Sequence, residues 1–190
     1  FMKNILLSIQ NLQTHFFLDE GVVRAVNGVN LEIPLGETMS IVGESGCGKS
    51  VTAFSILQLI ASPGRIVSGE IVFHRSNSDN VVLTNHKERN KRIRAIRGSE
   101  IAMIFQEPMS SLSPVHTVGN QIMEPLILHT NLGKAEARLQ VIDMMQRVGI
   151  PNPVERFNQY PHQMSGGLRQ RAIIAMALVC RPKLLIADEP

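Results

Sequence analysis

The sequence predicts an α/β fold, and three features carry the prediction. A strand pattern at residues 38–42 leads into a glycine-rich loop at residues 43–50, and a helical spacing of apolar residues follows at residues 50–60. Residues 101–105 are an apolar run before the polar Gln106, and residues 183–188 contain four consecutive apolar residues followed by Asp188. Such runs are typical of strands buried on both faces of a mostly parallel sheet, whose carboxyl edge collects ligands.

Other segments of the chain have the pattern of antiparallel strands. Apolar and polar residues alternate at residues 7–12 and 29–33, which predicts half-buried strands of an antiparallel sheet. Two short β-type runs, residues 66–73 and 81–83, enclose a polar loop at residues 74–80. We expect this part of the chain to form a hairpin.

Helical periodicity dominates the later part of the chain. It extends over residues 117–148, is broken at Gly133 and ends at Gly149. Residues 165–167 then open another helix, which precedes the last predicted strand. The sequence therefore predicts a helical insertion between the parallel strands.

Composition limits the class of protein. A chain of 190 residues with 44% hydrophobic content can bury one sizeable core, so we expect one globular domain. Its 19 basic and 16 acidic residues leave a net charge of +3, too small a bias to indicate nucleic acid as the main partner. The longest apolar stretch, residues 172–180, is shorter than the roughly 20 residues that cross a bilayer.

The chain's terminus and cysteines favour a cytoplasmic protein. The apolar run at residues 5–7 is too short and too quickly polar for a signal peptide. Cys47 and Cys180 do not form the framework of a secreted scaffold, which favours a reducing compartment.

A basic stretch at residues 87–97 has two readings, a nucleic-acid contact or a solvated helix. It contains Lys87, Arg89, Lys91, Arg92, Arg94 and Arg97. Ile93 and Ile96 give it one apolar face, which favours a solvated amphipathic helix.

The glycine-rich loop is the first motif that carries chemistry. Residues 43–50 read G-E-S-G-C-G-K-S, which matches the phosphate-binding pattern G-x-x-x-x-G-K-S. Its backbone N–H groups and the following helix dipole meet phosphate oxygens, while Lys49 reaches the β- and γ-phosphates and Ser50 ligates magnesium. A chance match in a chain of this length is on the order of one in a few hundred. Taken alone, the loop leaves kinases, GTPases, motor ATPases and transporters open.

Three later features narrow the choice. Gln106 follows an apolar strand, Met164-Ser165-Gly166-Gly167-Leu168 opens a helix, and Asp188-Glu189 follows the last strand. This order resembles that of the ABC ATPases: Walker A, Q-loop, signature and Walker B. A GTPase fits less well, because Asn90-Lys91 is followed by Arg92-Ile93 and not by the x-Asp of the guanine-reading motif.

The resemblance implies a fold and a set of ligand contacts. The implied fold is a P-loop NTPase (RecA-like) core with an N-terminal antiparallel β subdomain and an inserted helical subdomain, incomplete at the C-terminus. Its parts are residues 1–108 (β subdomain and first part of the core), 109–164 (helical subdomain) and 165–190 (signature helix and Walker B strand) of one truncated domain. The implied nucleotide contacts are Gly43, Glu44, Ser45, Gly46, Cys47, Gly48, Lys49, Ser50 and Val51, and in a second subunit Ser165, Gly166 and Gly167.

The resemblance also implies the catalytic and metal-binding roles. Asp188 holds magnesium through water, together with Ser50, and Glu189 orients and deprotonates the attacking water. Gln106 approaches the magnesium and lines the attack site. Each residue also has a plain structural reading: Ser165 as a helix N-cap, Asp188 and Glu189 as surface acids, and Gln106 as a solvated loop residue.

One branch of the family fits best. Residues 105–114, the Tyr-Pro-His-Gln at 160–163 and the Arg-Gln-Arg at 169–171 resemble dipeptide, oligopeptide and nickel importers, and also glutathione importers. The signature usually reads Leu-Ser-Gly-Gly-Gln, and Met164 and Leu168 replace its first and last residues. Leu168 has no side-chain hydrogen-bonding group, so any role of the usual glutamine is lost, whereas the phosphate-contacting Ser-Gly-Gly is intact.

Adenine recognition and metal binding by histidine have weaker signals. Phe16 and Phe17 are the aromatic residues near the position where the family stacks adenine, although counting back from the loop leads to Glu20-Gly21 and both rings also suit a core. The histidines lack metal-ligand spacing, and His162 is expected to pack near the signature. They are His15, His74, His86, His116, His129 and His162.

The implied function is ATP hydrolysis that powers import of a solute at the cytoplasmic face of the membrane. The implied partners are a second ABC ATPase subunit, identical or related, integral membrane permease subunits that dock near residues 109–129, and indirectly a solute-binding protein. The alternative is a soluble ABC ATPase that acts on DNA or ribosomes, against which the short helical insertion argues. Because the D-loop and switch histidine of the family follow Pro190, residues 1–190 alone are expected to hydrolyse ATP weakly, and a C-terminal iron–sulfur cysteine cluster of some relatives would also lie beyond them.

Overall fold

A computed structural model describes residues 4–75, 79–85, 91–106 and 111–188. These residues form two compact units that divide between Arg94 and Ala95. We describe each unit by itself.

The first unit contains an antiparallel sheet of four strands. They are β1 (Ile5–Leu18), β2 (Gly21–Pro34), β3 (Gly64–His74) and β4 (Asn80–Val82), in the order β2-β1-β3-β4. The strands predicted at residues 7–12, 29–33, 66–73 and 81–83 are confirmed, and the first three extend further than their alternation indicated. Leu83 instead begins a short 3-10 helix, Leu83–Asn85.

A bulge in β1 interrupts this sheet. Asn11 has a φ of +46°, and the pairing of β1 with both neighbours shifts register beside it. Gly69 of β3 has a φ of +93°, and a Cβ there would lie 2.4 Å from the Asn11 carbonyl oxygen. Glycine is therefore required at residue 69, because only it tolerates both this φ and this approach.

The first helix, α1, is Lys49–Ile56 and packs on β1 and β2. It is shorter than predicted, since Gln58 takes a φ of +51° that ends the helical path. The Thr14 and Ser55 hydroxyls join β1 to α1 by a buried hydrogen bond of 2.9 Å. This bond ties the helix after the glycine-rich loop to the middle of the sheet.

The strand predicted at residues 38–42 is wrong. Residues 37–44 have no regular secondary structure, and the Val42 side chain is 93% exposed. A strand needs a neighbour to pair its backbone groups. Within the described part of the chain, no strand pairs with this segment.

Part of the basic stretch forms α2, Lys91–Ile96. The boundary between the two units lies within this helix. Ile93 and Ile96 are buried, while Lys91, Arg92 and Arg94 are exposed. The predicted amphipathic helix is thus confirmed, although Lys87 and Arg89 lie outside the described residues.

The second unit pairs two parallel strands with helices. Its elements are β5 (Ile101–Ile104), α3 (Val118–His129), α4 (Lys134–Arg147), α5 (Pro153–Arg156), α6 (Gly166–Leu178) and β6 (Leu184–Ala187). β5 and β6 pair from Ile101 opposite Leu184 to Ile104 opposite Ala187. The predicted parallel strands, the break at Gly133 and the helix opening at residues 165–167 are all confirmed.

One apolar cluster holds this second unit together. Buried residues recur at three- and four-residue spacing along α3, α4 and α6, which places them on one face of each helix. The Phe157 ring lies against Gly119, where a Cβ would come within 2.2 Å of it, and under the Arg138 guanidinium at 4.1 Å. In the part of the chain that the structure describes, no helix is long and apolar enough to cross a membrane.

Candidate functional site

The glycine-rich loop curls around the ammonium group of Lys49. Lys49 is the first residue of α1, and its Nζ donates to the carbonyl oxygens of Gly43 at 2.7 Å and Glu44 at 2.8 Å. The Cys47 Sγ lies 3.8 Å from the same nitrogen. A cation is therefore held inside a loop of backbone groups at the positive end of a helix, an arrangement that attracts phosphate.

Gly48 explains why the loop can turn directly into the helix. It caps α1 with a φ of +95°, in the left-handed region. A Cβ at this position would lie 2.3 Å from the carbonyl oxygen of Ala25 in β2. Both the backbone conformation and the approach to the sheet therefore require glycine. The Thr52 amide and hydroxyl both donate to the Gly48 carbonyl, which fixes the first turn.

Asp188 and Gln106 lie at the same edge of the parallel sheet in the second unit. Asp188 directly follows β6, and its amide donates to the Ile104 carbonyl at the end of β5, at 3.0 Å. Gln106 follows β5 by two residues and is exposed. The Asp188 side chain is 8% exposed. An acid and an amide thus meet at the carboxyl end of neighbouring parallel strands, where open α/β sheets bind ligands.

Part of the predicted site lies outside the described residues. This applies to Glu189, the predicted base, and to residues 107–110 after Gln106. The phosphate-binding loop belongs to the first unit and the Asp188 edge to the second, so each is assembled within its own unit.

The predicted signature segment opens α6. Ser165 is the N-cap of this helix, and its Oγ accepts a hydrogen bond from the Leu168 amide at 3.4 Å. Ser165, Gly166 and Gly167 are exposed, while Leu168 is half-buried. The structural reading of Ser165 as an N-cap is correct, and the exposed turn also presents N–H groups at a positive helix end.

Residues 160–163, which precede Met164, are held in a turn by their own hydrogen bonds. The Gln163 Oε1 accepts from the Tyr160 amide at 2.8 Å, and the Gln163 amide donates to the Tyr160 carbonyl at 3.0 Å, across a 3-10 turn, Pro161–Gln163. The Tyr160 and His162 rings stack with centroids 5.7 Å apart. His162 is exposed, and its packing near the signature segment stays a prediction.

The two phenylalanines considered for adenine have different surroundings. The Phe16 ring lies against Gly64, where a Cβ would be 2.6 Å from it. Phe17 is 37% exposed, and the Arg65 guanidinium lies 4.1 Å from the centre of its ring. Phe16 is thus a packing residue of the sheet, whereas one face of Phe17 is stacked by arginine.

Across residues 4–75, 79–85, 91–106 and 111–188, no group of three His, Cys, Asp or Glu side chains could hold a metal ion. The Cys47 thiol is exposed and Cys180 is partly buried. Burial raises the pKa of the Cys180 thiol, because it disfavours the thiolate.

Comparison with known proteins identifies the family. Residues 26–190 match the family model described as ABC transporter. The chain is 52% identical over 188 residues to a probable peptide ABC transporter ATP-binding protein, y4tR, of Sinorhizobium fredii, covering 98% of this chain and 54% of that protein. It is 50% identical over 185 residues to the dipeptide transport ATP-binding protein DppD of Bacillus subtilis, covering 97% and 53%. The chain spans about half the length of the curated relatives it matches.

Solved structures with the same fold support the match. The dimeric bacterial ABC transporter cassette MJ0796 superposes with a TM-score of 0.81 at 28% identity, covering 96% of this chain and 73% of that one. A second structure of MJ0796, in a post-hydrolysis state with ADP and Pi, gives the same values. The predicted α/β cassette fold is thereby confirmed. On the match of residues 26–190, this chain belongs to the ABC transporter family.

Proposed function

We propose that the protein containing this chain binds ATP and hydrolyses it to power the import of peptides. The observation that carries the proposal is the Lys49 ammonium, enclosed by loop carbonyls at the start of α1. Relatives at 50% identity and above are named as peptide or dipeptide transport ATP-binding proteins, which favours peptides over nickel or glutathione. The same names favour transport over the alternative of work on DNA or ribosomes.

Nucleotide binding begins at the loop. The triphosphate accepts hydrogen bonds from the amides of residues 43–51 and exchanges the Lys49 contacts with Gly43 and Glu44 for contacts with its own oxygens. Bonds to charged groups are the stronger ones, so this exchange favours the bound state. Gly48 keeps the loop close to the sheet and leaves its amides directed at the ligand.

The donor set also suits magnesium. The Ser50 hydroxyl, the Gln106 amide oxygen and the Asp188 carboxylate are oxygen ligands, which this hard cation prefers. When bound, Mg²⁺ neutralises charge that develops on the phosphate oxygens. Asp188 supplies a carboxylate at the strand end, where the Asp188 backbone amide donates a hydrogen bond to the Ile104 carbonyl.

Hydrolysis uses the residues that follow β5 and β6. Glu189 accepts a proton from water as the water oxygen bonds to the γ-phosphorus, and the bond from that phosphorus to the ADP oxygen breaks. Gln106 orients the same water from the neighbouring strand. Ser165, Gly166 and Gly167 present a positive helix end to the γ-phosphate bound by a second subunit, in a dimer like that named for MJ0796.

The partners follow from this role. The ATPase dimer works at the cytoplasmic face of the membrane, attached to integral permease subunits that a solute-binding protein supplies with peptide. Closure of the dimer on ATP and its opening after hydrolysis move the permeases. No part of this assembly requires nucleic acid.

The test is Mg-ATP binding by the full-length protein with Lys49→Ala. Hydrogen bonds to charged groups contribute about 1.5–3 kcal/mol, so affinity should fall roughly 10- to 100-fold. Lys134→Ala, which removes an exposed lysine at the start of α4, is the matched control and should bind as the parent does. Unchanged binding by Lys49→Ala would refute the nucleotide site. With permeases in vesicles, peptide-stimulated turnover tests the transport part separately.

A further inference from the structure

Apolar packing anchors the first turn of α6 on one side only, through the half-buried Leu168, which packs against the apolar cluster of the second unit. Ser165, Gly166 and Gly167 are all exposed. The nearest deeply buried side chains are Met164 before the turn and Ala172 after it. A polar contact on another side of the helix can therefore add to what fixes the direction of this turn toward another molecule.

Arg171 makes such a contact with a different helix. Its Nη1 donates to the carbonyl oxygen of Gly149, which follows α4. Gly149 has a φ of +78°, and its amide donates to the Gln146 carbonyl at 2.9 Å, so it ends α4 in a left-handed turn. Carbonyl groups at a helix C-terminus carry partial negative charge, which a guanidinium stabilises.

The helix geometry places Arg171 on the same face of α6 as the signature turn. Arg171 comes four residues after Gly167, so the two residues lie on the same face of the helix. Helical side chains lean toward the N-terminus, which carries the Arg171 side chain back along that face. A Cβ at Gly149 would lie 2.5 Å from Nη1, so glycine at residue 149 leaves the space that the guanidinium uses.

We propose that Arg171 is a positioning residue for ATP hydrolysis. By binding the end of α4, it fixes the rotation of the first turn of α6, and so the direction in which Ser165, Gly166 and Gly167 meet a nucleotide held by a second subunit. This rests on the proposed function, in which that turn completes the second subunit's site. Because Arg171 is exposed, its bond contributes little to global stability.

The proposal separates two measurable quantities. Nucleotide binding by the subunit's own phosphate-binding loop does not involve α6, so Arg171→Ala should leave Mg-ATP affinity of the isolated full-length subunit within about twofold of the parent. Turnover by the assembled transporter requires the signature in place, and small misplacements of such groups are costly. We expect turnover to fall on the order of tenfold, with the thermal midpoint unchanged.

Two further variants make the test specific. Arg171→Lys retains a cationic donor with the reach to contact Gly149 and should recover most of the turnover. Arg147→Ala removes another exposed arginine from the last turn of α4, one that pairs with Asp143 within its own helix, and should behave as the parent.

Turnover of Arg171→Ala within twofold of the parent would overturn the proposal. So would a fall in thermal midpoint or in isolated ATP affinity that matches the loss of turnover, or failure of both Arg171 variants to fold, because each assigns Arg171 a purely structural role. Failure of the proposed function itself would appear differently, as normal ATP binding by Lys49→Ala.

Discussion

The Asp188 amide donates to the Ile104 carbonyl across the ends of two parallel strands, at 3.0 Å. This bond continues the pairing of β5 with β6 by one residue and places the Asp188 carboxylate next to the segment that leads to Gln106. The side chain is buried although it is an acid. Its place at the end of β6 makes it a candidate for the magnesium ligand in the proposed function.

Asp188→Asn should therefore reduce magnesium-dependent ATP turnover. The substitution keeps the shape of the side chain and the backbone hydrogen bond to Ile104, but it removes the negative charge. Loss of a residue that holds a metal through water costs about 10- to 100-fold in metal affinity or activity. The measurement is turnover of the full-length protein against magnesium concentration. Asp143→Asn, which changes an exposed acid paired with Arg147 in α4, should have no effect. An equal response of the two variants would contradict the assignment.

Gly48→Ala should destabilise the protein more than Gly36→Ala. Both glycines have positive φ, at +95° and +75°, so each variant loses about 1–2 kcal/mol to backbone strain. Only at Gly48 would the new Cβ meet the Ala25 carbonyl, and such overpacking adds about 1–3 kcal/mol. Urea unfolding of both variants gives the difference. Similar free energies of unfolding for the two variants would show that β2 moves away from the new Cβ without an energetic cost.

Thiol labelling should distinguish the two cysteines. At pH 8 an alkylating reagent should modify the exposed Cys47 faster than Cys180, whose pKa burial raises and whose thiolate is therefore scarcer. Because Cys47 lies in the phosphate-binding loop, Mg-ATP should slow its labelling and leave Cys180 unaffected. Mass spectrometry of the two peptides reports both rates, with Cys47→Ser as the control. A Cys47 labelling rate that is the same with and without saturating Mg-ATP would argue against phosphate binding by this loop.

The bond between Thr14 and Ser55 predicts unequal effects of two substitutions. The Ser55 Oγ donates to the Val51 carbonyl at 2.7 Å, so Thr14 is the donor of the bond between the hydroxyls. Thr14→Val removes that donor and should cost about 1 kcal/mol of unfolding free energy, whereas Ser55→Ala leaves a buried hydroxyl without its acceptor and should cost about 1–3 kcal/mol.

The double variant provides the internal control for this pair. Ser55→Ala should cost less in the Thr14→Val background, where no hydroxyl is left unsatisfied. Additive effects of the two substitutions in chemical denaturation would rule out this pairing.

The sequence alone determined the features that depend on near neighbours in the chain. The alternation of apolar and polar residues predicted the strands around Leu7 and Val29. Helical spacing predicted α3 and α4 with the break at Gly133, and apolar runs predicted β5 and β6. The candidate phosphate-binding loop and signature segment were also proposed from the sequence, because their chemistry requires particular residues at fixed spacing. These local rules also gave the family.

Only the tertiary structure decided what depends on residues far apart in the chain. Residues 38–42 have a strand pattern, yet whether they form a strand depends on a neighbour that alternation cannot specify. The bulge at Asn11 depends on Gly69 of another strand, and the Arg171 side chain bonds to Gly149, which lies 22 residues earlier in the chain. The physical reason is that backbone pairing and close approach are set by which distant segments meet, whereas periodicity records only which side of its own element a residue occupies.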